Sequence, residues 1–376
     1  MQCGGVEKAL IDLVSSLDKE KYDISVIVMS EGGSFYSEAK HKIPMKSIFS
    51  NFKLPKNRAC QKIRSVIINF IEKNRYKYPR TYYQYAIGGK YDIEIAFSSF
   101  DSHIIIANSV NKKSKKIVWI HGNIATDEDM QRYFATSEVL VKCLDSFDKM
   151  VFVAETAKEG FEKTFKINVS SVVMRNVINT DDILEKSKVD LENTYHLSSD
   201  MKTICAVGRL SPEKGYERLV LIHASLLKKD IKHRLIIVGE GKCRENIEKI
   251  INERHLQDTV FLVGYDSNPY KYMRNSDFFV CSSYTEGLPI VCQEALALGI
   301  PIVSSFPSVG ELFGDEPCGI ISDVDDDSLM AAIEKMLTDE EFYNSCKKAA
   351  ERRSKYFDTR VAVREIEKMF DELLEE

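Results

Sequence analysis

Short apolar strands alternate with amphipathic helical segments along almost the whole 376-residue chain. In the second half the strands read TICAVG, RLIIVG, TVFLVG, DFFVCSS, IPIVSS and CGIIS, and stretches such as YERLVLIHASLLKK separate them. Strands that are apolar on both faces and interleaved with helices are typical of parallel sheets covered by helices on both sides. The pattern therefore predicts an α/β fold built on doubly wound parallel sheets.

The first half of the chain repeats this alternation. A helix with one apolar face is predicted at residues 5–17. Strands are predicted at 22–30, 43–48, 92–98, 116–120 and 149–155. Because a chain of this length exceeds most single hydrophobic cores, we predict two Rossmann-like domains, residues 1–178 and 179–358, with a linker within 179–200. A final helix at 359–376 could cross back to the first domain.

The composition of the chain indicates the cellular location to expect for it. The 44% apolar content and the net charge of −5 are ordinary for a globular chain. None of the nine cysteines forms a CxxC pair, which is typical of reduced thiols in a cytosolic protein. No apolar run reaches the roughly 20 residues that span a bilayer, and no signal-peptide pattern is present. We therefore expect a cytoplasmic location.

Ligands of open parallel sheets bind at the carboxyl ends of the strands, so the residues after each strand are the candidates for a site. After TICAVG, Ser211 and Pro212 predict a helix start that Arg209 and Lys214 bracket. Main-chain N–H groups and two cations would suit a phosphate or diphosphate. The alternative is a solvated Lys214 and a surface ion pair at Arg209.

Glycines follow two further strands of the second half. Gly239 and Gly241 come after RLIIVG, and Gly264 precedes Tyr265 after TVFLVG. Glycine lets a ligand approach the backbone closely, so together these turns indicate a slot of nucleotide size. Singly, each glycine could instead do no more than satisfy a tight turn.

Two carboxylates lie in the apolar stretch SSYTEGLPIVCQEALALGIPIVSS. Pro289 at one end and Gly299 at the other predict a short capped helix, with Glu286 before it and Glu294 within it. A carboxylate in an apolar helix must be paired or hydrogen-bonded, and the vicinal diol of a ribose could supply two donors. The alternative is that Glu294 faces solvent through a gap in the apolar stripe.

Taken in order and spacing, these motifs resemble family 4 of the retaining glycosyltransferases, which has the GT-B fold. The resemblance rests on RLSPEKG at 209–215, VGEG at 238–241, FLVG at 261–264 and EGLP at 286–289 followed by Glu294. It extends to GGVE at 4–7 and WIHG at 119–122, and so covers nearly the whole chain.

The resemblance implies a role for each matched residue. Glu294 would hold the ribose hydroxyls of a nucleotide sugar, and Glu286 would face the donor sugar. Arg209 and Lys214 would hold the diphosphate, and His121 would lie beside the reacting sugar. The remaining donor-binding positions are Gly4, Gly5, Gly239, Gly264, Tyr265, Gly287, Leu288, Pro289, Ile290 and Val291.

The family's activity gives the functional expectation. It is a retaining transfer of a hexose or N-acetylhexosamine from a nucleotide sugar, with UDP favoured, to a polysaccharide, glycolipid or lipid-linked acceptor. We expect no metal cofactor, because no Asp-x-Asp pair follows a strand and Asp325-Asp326-Asp327 is typical of a helix start. A nucleotide-sugar epimerase, a phosphorylase and a non-catalytic partner subunit are the alternatives.

Two features depart from this pattern. Members of the family begin with an apolar strand that runs into the glycine loop, whereas Gly4 directly follows Met1-Gln2-Cys3, so we expect a truncated or misassigned start. Residues 40–90 hold thirteen Lys or Arg and one acid, Glu72, interleaved with aromatic residues. This composition suits an anionic membrane surface or a solvated basic face. Nucleic acid is disfavoured, since no recognised binding module accompanies it.

Overall fold

The computed structural model describes residues 4–29, 36, 39–48, 58–97, 100–123, 138–165, 169–191 and 201–376. The chain divides into two compact units. One comprises Met1–Val177 with Ala362–Glu376, and the other comprises Ile178–Val361.

The second unit is built on one six-stranded parallel sheet. Its strands are β7 (Lys202–Val207), β8 (His233–Val238), β9 (Val260–Gly264), β10 (Phe278–Cys281), β11 (Ile302–Ser304) and β12 (Gly319–Ile321). The order across the sheet is β12-β11-β10-β7-β8-β9, and every pair is parallel. After β7 the chain adds β8 and β9 towards one edge of the sheet, and after β10 it adds β11 and β12 towards the other edge. The point where the winding reverses lies between β7 and β10.

Helices cover this sheet. They are α7 (Thr180–Ser187), α8 (Tyr216–Lys228), α9 (Arg244–Glu253), α10 (Tyr270–Arg274), α11 (Ile290–Ala297), α12 (Gly310–Phe313), α13 (Asp326–Thr338) and α14 (Glu340–Arg353). The core between the layers includes Ile204, Leu235, Ile237, Phe278 and Val303, all at most 1% exposed. Every residue of β8 and of β10 is buried, as the apolar runs in the sequence predict.

The polar segment at 179–200 was expected to contain a linker, and its first part is instead the helix α7. Asn179 caps this helix, since its side chain accepts a hydrogen bond from the N–H of Asp182 at 3.1 Å. The helix packs against α10 and α11 within the second unit. Residues 192–200 lie outside the described part of the chain.

The described strands of the first unit form two separate parallel sheets. β1 (Val26–Val28) pairs with β2 (Met45–Ser47), and the order of the second sheet is β3 (Ile93–Ala96), β4 (Lys115–Ile120), β5 (Lys149–Phe152), β6 (Ser171–Val173). The helices are α1 (Gly5–Ser16), α2 (Arg58–Lys73), α3 (Pro79–Ala86), α4 (Phe100–Ala107), α5 (Glu138–Leu144) and α6 (Glu155–Thr164).

The last helix of the chain, α15 (Thr359–Glu375), enters the first unit. The ring of Phe370 packs edge-on against Tyr22 at 5.9 Å, and Lys21 forms an ion pair with Asp371 at 2.6 Å. Across the described residues, no helix combines the length and the apolar character needed to cross a membrane.

A buried chain of side chains joins α8 to the sheet of the second unit. The ring of His233 donates through Nδ1 to the carbonyl of Ile231 at 2.8 Å, so its Nε2 must accept from Nδ1 of His223, also at 2.8 Å. Nε2 of His223 lies 2.9 Å from the hydroxyl of Thr259. Burial, reinforced by the neighbouring His233 ring, lowers the pKa of His223 to about 3. Both rings are therefore neutral at pH 7.

This pair should make the second unit sensitive to acid. The folded-state pKa of His223 lies below the ordinary value of 6.5, so its stabilisation is present at neutral pH and is lost as pH falls from about 6.5 towards 3. We expect the unfolding free energy to fall by roughly 2–3 kcal/mol more between pH 7 and pH 4 in the parent than in His223→Asn. Urea titrations at each pH, followed by hydrogen exchange of peptides from β8, measure this difference. The exposed His255→Asn is the matched control, and an equal pH dependence in the parent and His223→Asn would contradict the assignment.

Candidate active site

The reversal between β7 and β10 brings two loops of the second unit together at the carboxyl edge of the sheet. One loop, residues 208–215, follows β7, and the other, residues 282–289, follows β10. In doubly wound sheets such a reversal opens a crevice between the two loops, and ligands bind there. The topology therefore places most of the sequence-predicted site residues of the second unit at one place.

An ion pair between Lys214 and Glu286 links the two loops. Nζ of Lys214 donates to Oε1 of Glu286, and the hydroxyl of Ser283 donates to the same carboxylate at 2.7 Å. The two side chains are only 23% and 15% exposed. Burial opposes the charge on Lys214, but the adjacent carboxylate outweighs it and raises the pKa of Lys214. The site thus holds a charged, largely buried cation, which contradicts the alternative of a solvated lysine.

The segment around Lys214 is a single 3₁₀ turn, Pro212–Lys214, and not the start of an α-helix as the sequence predicted. Helix α8 begins two residues later, at Tyr216. Ser211 precedes the turn, but its hydroxyl donates to the carboxylate of Glu213 at 2.5 Å and caps no backbone group. The turn is held tightly against the end of β10 because Gly215 adopts φ 66°, and an added Cβ there would collide with the carbonyl oxygen of Ser282.

The second cation predicted for the site lies in a different environment. The side chain of Arg209 is 57% exposed, and Nη2 lies 3.8 Å from the carboxylate of Glu213. This is the surface ion pair that the sequence left open as the alternative. Arg209 is therefore accessible to a bound anion, while Lys214 is already paired.

Arg218, which the sequence analysis missed, organises the loop after β10. Its guanidinium is 3% exposed and donates to the carbonyl of Ser282 at 2.6 and 3.0 Å and to that of Ser283 at 3.2 Å. It also donates to the hydroxyl of Ser305 at 2.6 Å and lies 3.9 Å from the centre of the Tyr284 ring. The sequence feature that could have identified Arg218 is its position as a charged residue on the apolar face of α8.

Glu294 is 3% exposed within α11, so the structure contradicts the alternative in which it faces solvent. The hydroxyl of Tyr270 donates to its Oε1 at 3.0 Å. As predicted, Pro289 precedes the helix and Gly299 adopts a left-handed conformation, with φ 72°, just past its end. The carboxylate is therefore buried and hydrogen-bonded, as its apolar surroundings require.

The segment between the two glutamates forms the end of the loop after β10 and the first turn of α11. The carbonyl of Gly287 accepts a hydrogen bond from Ser308 at 2.6 Å, and Leu288 and Ile290 are buried. Pro289 has no N–H, so the N–H groups of Ile290 and Val291 are the first of this helix that point out of its amino end. The arrangement offers main-chain donors beside Glu286.

The glycines after β8 and β9 allow close packing of the backbone. A Cβ at Gly239 would collide with the carbonyl oxygen of Gly208, and one at Gly241 would collide with that of Leu210. Gly264 has φ 84°, and the side chain of Tyr265 after it is exposed. The tight-turn explanation therefore accounts for Gly239 and Gly241 without a ligand.

In the first unit, His121 follows β4. Its ring lies 4.7 Å from that of Phe97 and stacks on Trp119 at 6.5 Å. Burial lowers the pKa of His121 to about 3. The Phe97 backbone acts in the opposite direction but offsets only part of this effect. Neither ring nitrogen has a hydrogen bond of normal geometry to another described residue. The imidazole is thus neutral at pH 7, and both of its ring nitrogens are buried.

The glycine pair at the start of the first unit lies where α1 begins. Gly4 is the N-cap residue of this helix and Gly5 is its first residue. The side chain of Glu7 folds back over Gly4, so a Cβ there would collide with its carboxylate. The carboxylate of Glu7 therefore lies over the amino end of α1, at the position of these two glycines.

Comparison with known proteins is consistent with this geometry. Residues 190–353 match the family model "Glycosyl transferases group 1". A relative in Campylobacter jejuni, N-acetylgalactosamine-N,N'-diacetylbacillosaminyl-diphospho-undecaprenol 4-alpha-N-acetylgalactosaminyltransferase, is 34% identical over 189 residues. That alignment covers 50% of this chain and 49% of the relative, so the chain spans about half of that protein.

Two further matches span most of the chain. An uncharacterized glycosyltransferase of Haemophilus influenzae is 26% identical over 348 residues, which cover 90% of this chain and 88% of the relative. The crystal structure of Anabaena Alr3699/HepE in complex with UDP and glucose superposes with a TM-score of 0.74 at 17% identity, over 98% of this chain and 96% of that one. The chain therefore has the GT-B fold, and the family match to glycosyl transferases group 1 falls on its residues 190–353.

Proposed function

We propose that the chain is a retaining glycosyltransferase that transfers a sugar from a UDP-sugar to a lipid-linked or polysaccharide acceptor. The observation that carries the proposal is the Lys214–Glu286 pair at the reversal of the sheet, with the buried Glu294 on the adjoining helix. These residues lie within the segment that matches the glycosyl transferases group 1 family.

The relatives support the proposed substrates. The name of the Campylobacter relative describes transfer of an N-acetylgalactosaminyl group to a diphospho-undecaprenol carrier, and the Anabaena structure contains UDP. For this chain we infer a UDP-linked hexose or N-acetylhexosamine as donor and a saccharide, free or carried on a lipid, as acceptor.

The donor would bind through charge and through main-chain groups. Lys214 and the exposed Arg209 would contact the diphosphate, joined by the N–H groups of Ile290 and Val291 at the amino end of α11. Glu294 would accept hydrogen bonds from the ribose hydroxyls. Glu286 would turn from Lys214 towards the hydroxyls of the donor sugar as phosphate takes up the charge of the lysine.

The chemical step leaves negative charge on the diphosphate, which the groups that bind it stabilise. When the bond from C1 of the sugar to the phosphate oxygen breaks, the electron pair stays on the diphosphate, where Lys214 and Arg209 stabilise it. The acceptor hydroxyl forms the new bond to C1 on the same face, and its proton passes to the departing phosphate oxygen. His121, neutral at pH 7, would hydrogen bond to a hydroxyl of the donor sugar. Because these cations supply the positive charge, we propose that no metal is needed.

Donor binding and turnover together test this proposal. We expect at least one of UDP-glucose, UDP-N-acetylglucosamine and UDP-N-acetylgalactosamine to raise Tm of the parent, since a ligand bound to the folded state stabilises it. Glu294→Ala should abolish that shift. His121→Ala should retain it while sugar transfer to a lipid-linked acceptor falls by roughly 100-fold or more, as expected for loss of a group that acts in the transition state. Transfer by the parent should persist in EDTA.

Glu245→Ala, which removes an exposed carboxylate from the first turn of α9, is the matched control and should leave both measurements unchanged. Near-normal turnover in His121→Ala would remove the proposed role of the histidine. Conversion of the donor with no acceptor present would favour an epimerase. Donor binding without any transfer would favour a non-catalytic subunit.

We also propose that helix α2 docks on an anionic membrane surface, which would bring a lipid-linked acceptor to the enzyme on the cytoplasmic face. Ile63, Val66 and Phe70 are each more than half exposed, and their spacing of three and four residues puts them on one side of the helix. Lys62 and Lys73 are exposed on the same helix. An apolar row with basic neighbours suits the interface of a bilayer that carries negative charge.

Co-sedimentation with lipid vesicles tests the docking surface. We expect the parent to bind vesicles of phosphatidylcholine with phosphatidylglycerol at low salt, and binding should weaken at high salt and with phosphatidylcholine alone. Phe70→Ser should reduce binding several-fold, because an interfacial apolar contact is lost. Val189→Ser, at an exposed apolar residue of the second unit, is the control. No binding to the anionic vesicles at low salt would contradict the proposal.

A further inference from the structure

Two buried cysteines of the second unit are in contact at the base of the loop 282–289. Cys281 is the last residue of β10 and Cys292 is the third residue of α11, which packs against that strand. The thiol of Cys292 donates a hydrogen bond to the sulfur of Cys281. Both cysteines are reduced. This thiol pair therefore joins the two ends of the loop that carries Glu286 without a covalent bond.

Hydrogen bonds connect the thiol pair to the ion pair of the candidate site. The thiol of Cys281 donates to the hydroxyl of Ser283 at 3.7 Å, and that hydroxyl donates to the carboxylate of Glu286 at 2.7 Å. The same carboxylate accepts from Lys214. One hydroxyl thus separates the sulfur of Cys281 from the carboxylate, so a chemical change at the sulfur alters the contacts of Glu286.

The two sulfurs differ in their readiness to react. The hydrogen bond from Cys292 lowers the pKa of Cys281 to about 7, and the charge of Lys214 acts in the same direction, against the effect of burial. Burial raises the pKa of Cys292 well above its ordinary value. Cys281 is also 5% exposed, whereas Cys292 is fully buried. A thiolate next to a second thiol is the arrangement found in redox-sensitive pairs of cysteines.

We propose that Cys281 and Cys292 form a site of reversible oxidation, at which a hydroperoxide converts the two thiols into a disulfide that constrains the loop 282–289. The thiolate of Cys281 attacks one peroxide oxygen and becomes a sulfenic acid, while the O–O bond breaks and the other oxygen leaves with a proton from solvent. The sulfur of Cys292 then attacks the sulfenic sulfur, and its proton leaves with the hydroxide as water. Each sulfur loses one electron, the peroxide gains two, and a dithiol reverses the reaction by exchange.

The disulfide would act on the groups proposed to bind the donor. Ile290 and Val291, whose N–H groups begin α11, directly precede Cys292. Oxidation also removes the thiol proton that Cys281 donates to Ser283. Because a disulfide restricts the segment that it closes, the oxidised loop should resist the movement of Glu286 away from Lys214 that donor binding requires.

Peptide mapping after treatment with hydrogen peroxide tests the oxidation site. No Lys or Arg lies between residues 275 and 334, so trypsin leaves both cysteines in one peptide, and a second cleavage after Glu286 and Glu294 separates them. We expect fragments 275–286 and 287–294 of the parent to be joined by a disulfide that a dithiol breaks. Hydrogen exchange in the loop 282–289 should slow at least tenfold on oxidation.

Serine variants distinguish the roles of the two sulfurs. Cys292→Ser retains a hydroxyl donor to Cys281, so peroxide should stop at a sulfenic acid on Cys281, which dimedone labels. Cys281→Ser should leave Cys292 unmodified. Cys243→Ser, at a buried cysteine of the second unit outside the pair, is the matched control and should form the disulfide as the parent does. Cys292→Ala replaces the serine variant if that variant unfolds.

Three results would overturn the proposal. Absence of the disulfide after peroxide treatment of the parent would assign the pair to apolar packing alone. A disulfide from either cysteine to Cys318, which lies in the same tryptic peptide, would assign the reaction to other partners. Labelling of Cys292 in Cys281→Ser, with Cys281 unlabelled in Cys292→Ser, would reverse the proposed roles.

The effect on the donor site rests on the proposed function and is measured separately. Oxidation of the parent should remove about half or more of the rise in Tm that UDP produces, and reduction should restore it. Peroxide should not change this rise in Cys281→Ser. A rise that survives complete disulfide formation would overturn the constraint on the loop. Absence of any rise in the reduced parent would instead contradict the proposed function, and peptide mapping would still decide the oxidation site.

Discussion

The ion pair between Lys214 and Glu286 joins the two loops on which the candidate site of the second unit depends. The two residues come from loops that are 72 positions apart in sequence, and the pair joins the turn after β7 to the loop after β10. Losing one partner of a fully buried pair costs roughly 3–5 kcal/mol, and less here, since the side chains are 23% and 15% exposed. A charged pair is a costly way to join two loops compared with apolar contacts. The presence of this pair is explained if the lysine exchanges the carboxylate for a phosphate.

Other groups hold the pair in position. Arg218 binds the backbone of Ser282 and Ser283, next to the hydroxyl that bonds to Glu286, and Gly215 lets the turn that carries Lys214 approach that same backbone. The loop after β10 is thereby tied to α8, and the amino end of α11 follows directly from it. Binding groups held in advance lose less entropy when a ligand arrives, so this framework favours tight donor binding.

Much of the fold could be predicted from the sequence, because apolar runs and helix caps are local properties. The buried strands β8 and β10 and the capped helix α11 were predicted in this way, and the burial of Glu294 was one of the two alternatives that the sequence left open. What could not be predicted depends on which strand ends become neighbours. The order of the sheet pairs Lys214 with Glu286 and leaves Arg209 exposed, and only the packed structure gives Arg218 its partners. The 3₁₀ turn at Pro212 and the helix α7 in the expected linker also differ from the prediction, although the Asn179 cap of α7 is a local signal.

The affinity of Glu286→Gln for UDP, measured by calorimetry beside its rate of sugar transfer, tests the central claim most directly. If Lys214 exchanges the carboxylate for phosphate, neutralising residue 286 should free the lysine, so the variant should bind UDP more tightly than the parent does. Its rate of transfer should fall, because the contact with the donor sugar is lost. Unchanged or weaker UDP binding, together with undiminished transfer, would contradict the account.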